Sequence, residues 1–379
     1  MVAAAPHAAV AVRTLLSPRV ELDTPTMIVD ETLMARNISE MQALAASFGV
    51  NMRPHIKTHK TPQIARLQIA AGAVGITCAK LGEAEVMADA GIADILIAYP
   101  IVGTIKLRRL IALLDRAHVT VALDGMAAGH ALSEAVSAAE RLIDVYVEVD
   151  TGQHRAGALA GRDAVALGLD LARLPGLNVI GVMSHEGQTH TLAPDKIAAG
   201  AHEAGERLVA TAEQLRLAGI DIREVSVGST PSSHYTPSIA GVTEMRPGTY
   251  VFKDTTGFRY GRYGPDRCAA RILATVVSHP APDRAIVDAG SKTLALDGSA
   301  GHPGHGYLVG HPASIIDRLS EEHGVVVVSP DDPPLVVGER VEIIPNHVCP
   351  ALNLHDDLTI VRDGRIIDVW PIAARGKVR

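Results

Sequence analysis

Short apolar runs alternate with longer amphipathic segments from about residue 26 to residue 227. "TMIVD", "AVGITCA", "DILIAYP", "VTVALDG", "DVYVEVD", "NVIGVMSH" and "REVSVGS" read as strands. "ETLMARNISEMQALAASFG", closed by Gly49, "KLGEAEVMADAG" and "DKIAAGAHEAGERLVATAEQLRLAG" read as helices between them. "GVNMRPHIK" reads as one more short strand, which would put Arg53, His55 and Lys57 on one face. Thr61-Pro62 then supplies an N-cap and a proline at the first helical position. Alternating strands and helices predict a parallel sheet, and this many units in about 200 residues favours a closed (β/α)8 barrel over a doubly wound sheet.

The texture changes after about residue 257. "CAARILATVVSHP", "RAIVDAG", "GVVVVSP", "ERVEIIP", "LTIVRDG" and "RIIDVWPI" are strands punctuated by Pro, Gly and Asp, and helical periodicity is nearly absent. The predicted organisation is an α/β barrel over residues 26–256 plus an all-β domain built from residues 1–25 and 257–379. No repeat of fixed period and no low-complexity tract interrupts it.

Composition narrows the function. A chain of 379 residues is long enough for two domains, and 47% hydrophobic against 20% charged residues allows large cores. The net charge of −7 argues against nucleic acid as a partner, and 3% aromatic content leaves little for base stacking. Cys78, Cys268 and Cys349 are odd in number and far apart, which fits a reducing compartment better than a disulfide framework. The Ala-rich start, "MVAAAPHAAVAVRTLL", lacks a basic n-region and is broken by Pro6, His7 and Arg13, so it does not read as a signal sequence. No stretch approaches a membrane span. The expectation is a soluble cytoplasmic protein.

Four constellations carry candidate chemistry. Function in a barrel gathers at the C-terminal ends of strands, and Lys57 is predicted at such an end. A lysine in a desolvated, electropositive place has a depressed pKa, as a Schiff base with a carbonyl cofactor requires. Lys60, farther on, reads as part of a solvated basic loop. "VEVDTGQHRAG" would project Arg155 over the barrel mouth, although alone it reads as a charged turn. "VSVGSTPSSHY" places Gly228, Ser229 and Thr230 after the last predicted barrel strand, where small residues let backbone N–H groups reach a phosphate. "RPGTYVF" offers a second glycine-led turn. Together with a lysine across the mouth, these turns suggest pyridoxal 5'-phosphate. In "PNHVCPALNLHD", His347 and Cys349 would share a face of an extended segment, with His355 and Asp356 nearby. Imidazole and thiolate suit a borderline metal such as zinc, and two protein ligands leave open positions for water and substrate.

Taken together these motifs resemble the fold-type III pyridoxal-phosphate enzymes of the D-threonine aldolase / D-serine dehydratase group, distantly similar to alanine racemase. The resemblance runs from "DTPTMIVD" to "VWPIAARG", nearly the whole chain. It implies an alanine racemase-like TIM barrel that binds pyridoxal 5'-phosphate, with Lys57 as the Schiff-base lysine and His55 and Arg53 lining the barrel beneath it. Arg155 corresponds to the arginine that hydrogen-bonds the cofactor phenolate. Gly228, Ser229 and Thr230, with Gly248, Thr249 and Tyr250, correspond to the phosphate-binding turns. His347 and Cys349 correspond to the ligands of a divalent metal (Mn2+, Zn2+ or Mg2+). His185, where the family commonly has tyrosine, and His190 are the candidates for the base that takes the β-hydroxyl proton.

The resemblance also implies a homodimer acting on small D-β-hydroxy-amino acids, with no nucleic acid or membrane partner. Two signals pull the reaction apart. Aldolases of the group often carry His-x-Asp at the metal motif, whereas dehydratases often carry His-x-Cys, as here. Chain length, the lysine-to-metal spacing and the ending "VWPIAARG" look most like low-specificity D-threonine aldolases. The expected activity is therefore retro-aldol cleavage. The alternative is dehydration of D-serine or D-threo-3-hydroxyaspartate, with Lys57 taking the α-proton. A non-catalytic cofactor carrier would have no use for the metal motif, and a metal-only barrel hydrolase would show no absorbance near the Schiff-base band.

Overall fold

A computed structural model describes residues 12–298 and 302–379. The Ala-rich stretch through residue 11 lies outside the described residues. The chain divides into two compact units. One takes in the chain through Ile38 and Thr249–Arg375, and the other Ser39–Gly248 with Gly376–Arg379.

Strand β1 (Thr26–Asp30) and helix α1 (Glu31–Phe48) open the regular structure. The second unit then runs β2 (Asn51–Met52), α2 (Pro62–Ala70), β3 (Ile76–Cys78), α3 (Leu81–Asp89), β4 (Asp94–Ile97), α4 (Thr104–Leu113), β5 (His118–Leu123), α5 (Met126–Ala138) and β6 (Ile143–Asp150). It continues with the two-residue β7 (Ala158–Leu159), α6 (Arg162–Leu171), β8 (Leu177–Met183), α7 (Ile197–Leu217), β9 (Glu224–Val227) and β10 (Glu244–Met245). The sheet order is β2-β10-β9-β8-β6-β5-β4-β3, every pair parallel. A bridge between His55 and Thr77 closes it. Val74 N donates to Met52 O at 2.9 Å and Thr77 N to Pro54 O at 2.8 Å across the same seam. Eight parallel strands thus form the expected closed barrel. Strands such as β4 and β5 are apolar almost throughout because a parallel barrel buries both faces. The helices bury one stripe only, as with Leu107, Leu110 and Leu113 of α4.

Three local expectations change. "TMIVD", read as a barrel strand, is β1 of the other unit's sheet, antiparallel to one neighbour and parallel to another. A five-residue apolar strand before a helix looks the same whichever sheet it joins. Its place in the barrel is taken by β10, whose two residues are too few to carry a period. The Arg53 strand is shorter than expected. β2 stops at Met52, and the chain enters a 3-10 turn over Ile56–Thr58, so Lys57 stands on a turn and not on a strand face. Pro54 has no N–H to continue a ladder. Thr61 and Pro62 do start α2, but the Thr61 hydroxyl donates to His59 O at 2.6 Å instead of capping the helix.

The barrel interior is partly polar. Buried Arg53 donates through Nε to Glu244 Oε2 at 2.6 Å and pairs with Asp94. Ser226 Oγ donates to Glu244 Oε1 at 2.5 Å, and Arg246 donates to Ser226 Oγ and to the Ser184 carbonyl. Each buried charge has a partner, as the low-dielectric interior demands.

The first unit is built on β1 and the long β11 (Ala270–Ala281). It adds β12 (Arg284–Val287), α8 (Ser291–Leu294), β13 (Tyr307–Leu308), β14 (Ile315–Leu319), β15 (Gly324–Val327), β16 (Arg340–Ile344), α9 (Val348–Leu352), β17 (Asp357–Arg362) and β18 (Arg365–Pro371). The order is β14-β15-β12-β11-β1-β17-β18, with β16 also on β11 and β13 on β16. Leu15, Leu16, Ile28, Leu273 and Val361 form one of its cores. A buried ion pair fastens the early chain to this sheet. Arg271 Nη1 donates to Glu342 Oε2 at 2.8 Å, and Glu342 Oε1 accepts from Leu15 N at 2.7 Å and Leu16 N at 3.0 Å. Among the described residues no helix is long and apolar enough to cross a membrane.

Candidate active site

Lys57 is half-buried in the turn that follows β2, and its backbone N–H donates to Nδ1 of His55 at 3.4 Å. Burial, and then the positive charges of Lys57, Arg246 and Arg155, hold the His55 imidazole, which also neighbours His185, well below its usual pKa. These groups therefore stand within electrostatic reach of one another at the C-terminal strand ends. Lys60 is not the solvated residue expected from sequence. It is buried in a left-handed conformation, and its Nζ lies 3.2 Å from Glu83 Oε1, itself buried. The fully buried His59 accepts from Thr61 N at Nδ1 and meets Gln68 Oε1 through Nε2 at 3.2 Å; burial pushes its pKa down to about 4.

The loop after β6 carries Arg155. Its Nη2 is 3.8 Å from Oε1 of Glu148, whose carboxyl is raised by burial against the opposing charges of Arg155 and Arg246. The loop can turn back here because Gly157 has φ +104°, and a Cβ there would fall 2.6 Å from Asp150 N.

The loop after β8 carries His185. Its Nδ1 donates to the Gly228 carbonyl at 2.5 Å, since a carbonyl only accepts. Burial and the charges of Lys57 and Arg155 press its pKa well below the ordinary imidazole value. His185 is thus a neutral imidazole with its proton on Nδ1 and a lone pair on Nε2. His190, the other sequence candidate, ends the 3-10 turn Gly187–His190 and is exposed.

Gly228, Ser229 and Thr230 follow β9 as expected. Thr151 Oγ1, Gln188 Oε1 and Thr230 Oγ1 are buried without a hydrogen-bond partner, one from each of the loops after β6, β8 and β9. Buried polar atoms without partners in three loops at strand ends leave room for a polar ligand. Gly248 comes so close to the lysine turn that a Cβ would sit 2.9 Å from His55 O and 2.9 Å from Thr58 Oγ1. These features fit a phosphate-bearing cofactor. Thr249 and the buried Tyr250 begin the other unit.

In that other unit His347 is the N-cap residue of α9 and Cys349 its second residue, so a helical turn brings them together, not the extended segment expected. Burial would lower the His347 pKa, but the hydrogen bond and charge of Cys349, the charge of Asp254 and the hydrogen bond with Asp297 outweigh it and hold it at about 10. Asp297 Oδ1 lies 3.2 Å from His347 Nδ1, and buried Asp254 accepts from Val348 N at 3.1 Å. An imidazole oriented by a carboxylate beside a thiol is a fitting donor set for a thiophilic divalent metal. His355 instead meets the Thr293 carbonyl, and Asp356 pairs with Arg375. Among the described residues no three His, Cys, Asp or Glu side chains gather as ligands.

Residues 29–256 match the family model of the alanine racemase N-terminal domain, and residues 269–361 match that of a putative serine dehydratase domain. D-threonine aldolase of Arthrobacter sp is 36% identical over 368 residues, covering 95% of this chain and 94% of the relative. The chain belongs to the D-threonine aldolase / D-serine dehydratase family. Another member, D-threo-3-hydroxyaspartate dehydratase of Delftia sp. (strain HT23), is 34% identical over 349 residues, 86% of this chain and 91% of that one. The crystal structure of D-threonine aldolase from Filomicrobium marinum matches with a TM-score of 0.88 at 38% identity, covering 97% of this chain and 100% of that one. Membership in the D-threonine aldolase / D-serine dehydratase family makes the protein a lyase with an alanine racemase-like fold.

Sequence reasoning missed Glu186, Glu148, Asp254 and Asp297. Glu186 carried a readable signal, an acidic residue between a histidine and a glycine directly after a predicted strand. The two aspartates lie far from the metal motif along the chain and carried none.

Proposed function

We propose that the protein is a pyridoxal 5'-phosphate- and divalent-metal-dependent D-threonine aldolase, cleaving D-threonine and other D-β-hydroxy-α-amino acids to glycine and an aldehyde. The observation that carries this is the state of His185. Cleaving the Cα–Cβ bond of a β-hydroxy amino acid requires a base for the hydroxyl proton while the C–O bond becomes C=O. A neutral imidazole with Nδ1–H tied to Gly228 presents Nε2 as that base. The O–H proton goes to Nε2, the oxygen pair forms the carbonyl, and the Cα–Cβ pair must be taken up. Bound pyridoxal phosphate supplies the electron sink for that pair; protonation at Cα then gives glycine.

Lys57 would hold the cofactor covalently, with His55 beneath it kept neutral and Arg155 over the mouth facing the phenolate side. Gly228, Ser229, Thr230, Gly248, Thr249 and Tyr250 would receive the phosphate. His347 and Cys349 would hold the metal, a Lewis acid for an oxygen substituent. The metal is manganese, zinc or magnesium in this reading. The assembly is a homodimer, and three free cysteines among the described residues agree with a cytoplasmic setting.

Cys349 favours a second reading, dehydration of D-serine or D-threo-3-hydroxyaspartate, in which Lys57 takes the α-proton and His185 is not the base. Incubation with pyridoxal phosphate, manganese or zinc, and D-threonine separates the two. Glycine with acetaldehyde supports the aldolase. 2-Oxobutanoate with ammonia overturns it in favour of the dehydratase.

A further inference from the structure

Gly228 is held by both of its backbone polar groups. Its N–H donates to Glu186 Oε2 at 3.1 Å, and its carbonyl accepts from His185 Nδ1 at 2.5 Å. Glycine is the residue with the most backbone freedom, so fixing N–H and C=O together fixes the two dihedrals that would otherwise wander. Glu186 is itself immobilised, with no exposed surface. Its Oε1 accepts from Ser184 Oγ at 2.7 Å and its Oε2 from Ser232 Oγ at 3.0 Å, at the far end of the phosphate turn. The backbone of Glu186 caps the next turn, where Thr189 Oγ1 donates to its carbonyl at 2.6 Å and lies 3.4 Å from Ser229 Oγ. One buried carboxylate therefore ties the loop after β8 to both ends of the Gly228–Ser232 turn.

Two functional atoms depend on this clamp. In a trans peptide the C=O of one residue and the N–H of the next point in opposite directions. With the Gly228 carbonyl aimed at His185, the Ser229 N–H points away from it, the orientation a phosphate-binding amide needs. The same carbonyl holds the His185 proton on Nδ1 and leaves Nε2 to accept.

We propose that Glu186 is a positioning residue which, by clamping Gly228, sets both the phosphate-binding amide of the cofactor turn and the proton-accepting nitrogen of His185. The half that concerns His185 rests on the aldolase reading; the half that concerns the phosphate does not.

The test uses the full chain with Glu186→Ala, Glu186→Asp and Glu186→Gln. Dissociation constants are measured for pyridoxal 5'-phosphate and for pyridoxal, which lacks the phosphate. Losing a buried acceptor for a backbone donor is expected to weaken pyridoxal phosphate about tenfold in Glu186→Ala and to change pyridoxal by less than about threefold. Glu186→Gln, which still offers an oxygen to Gly228, is expected to stay within about threefold of the parent for both. The kcat–pH profile gives the second readout. His185 is faced by Lys57, Arg155, Arg246 and His55. The hydrogen bond to Gly228 raises the His185 pKa against burial and the charges of Lys57, Arg155 and Arg246; without it the pKa falls further, so the acid limb moves to lower pH in Glu186→Ala but not in Glu186→Gln.

Equal weakening of both ligands, or a lowered melting temperature with the ligand ratio and acid limb unmoved, would overturn the clamp. If Glu186→Ala does not fold, Glu186→Asp takes its place. Its carboxylate is one methylene too short to span Ser184 and Gly228, so the same preferential loss of pyridoxal phosphate is expected, and equal weakening again overturns the clamp. A parent enzyme that forms no glycine from D-threonine defeats the aldolase reading alone, because the ratio of pyridoxal phosphate to pyridoxal still decides the phosphate half.

Discussion

Lys57, His185 and His347 each carry one separable piece of the proposed chemistry. Lys57→Ala is expected to abolish the absorbance band of bound cofactor along with turnover, and an active, banded variant would remove Lys57 from the site. His347→Ala should keep the band and lose metal-dependent turnover; full activity in the presence of chelator would end the metal assignment. His185 acts as a base only when neutral, and a group is neutral above its pKa. Because burial and the charges of Lys57 and Arg155 lower that pKa, the acid limb of kcat is expected below the ordinary imidazole range. His185→Gln should cut kcat by about 100-fold or more without losing the cofactor band. At this scale the sequence was legible where a residue type announces its chemistry, as with Lys57 beside His55. It was misleading at Lys60, whose neighbours in sequence are polar but whose partner, Glu83, comes from the following βα unit. Burial set by distant contacts leaves no local trace.

The turns that link strands to helices decide where these side chains stand. Gly248 shows this most directly, since any Cβ there meets the His55 backbone. Gly248→Ala is expected to cost about 1–3 kcal/mol of stability through overpacking, and to weaken cofactor binding as the Lys57 turn gives way. Calorimetry and a cofactor titration measure both, and an unchanged variant would mean that a Cβ at Gly248 stands farther than 2.9 Å from His55 O. Long elements such as α1 and α7 were readable from periodicity, because a buried stripe repeats over several turns. β10 was not, with only two residues. The pairing of His347 with Cys349 was anticipated, though by the wrong geometry: a period-two strand and the first turn of a short helix both juxtapose residues two apart when one is the N-cap.

For the whole molecule, alternation against punctuation in the chain separated a barrel from a β unit, but the first strand crossed over. β1 lies between β11 and β17, contacts with residues more than two hundred positions away that no local pattern encodes. The early chain is fastened there by Glu342, which receives Arg271 and two backbone amides. Glu342→Ala leaves the buried Arg271 charge uncompensated and is expected to cost about 3–5 kcal/mol. Urea unfolding should record that loss, and brief trypsin treatment should newly cleave near Arg13. A variant as stable and resistant as the parent would show that the staple is dispensable.

The seam of the barrel at His55 and Thr77 has a consequence for how such an enzyme diversifies. The few residues that shut the ring also carry the lysine, so substitutions there are screened first for folding and only then for chemistry. Novelty in substrate choice has little room to arise beside Lys57. It has more in the stretches of the loops after β6 and β8 away from Arg155, His185 and Glu186, which hang from a ring already closed.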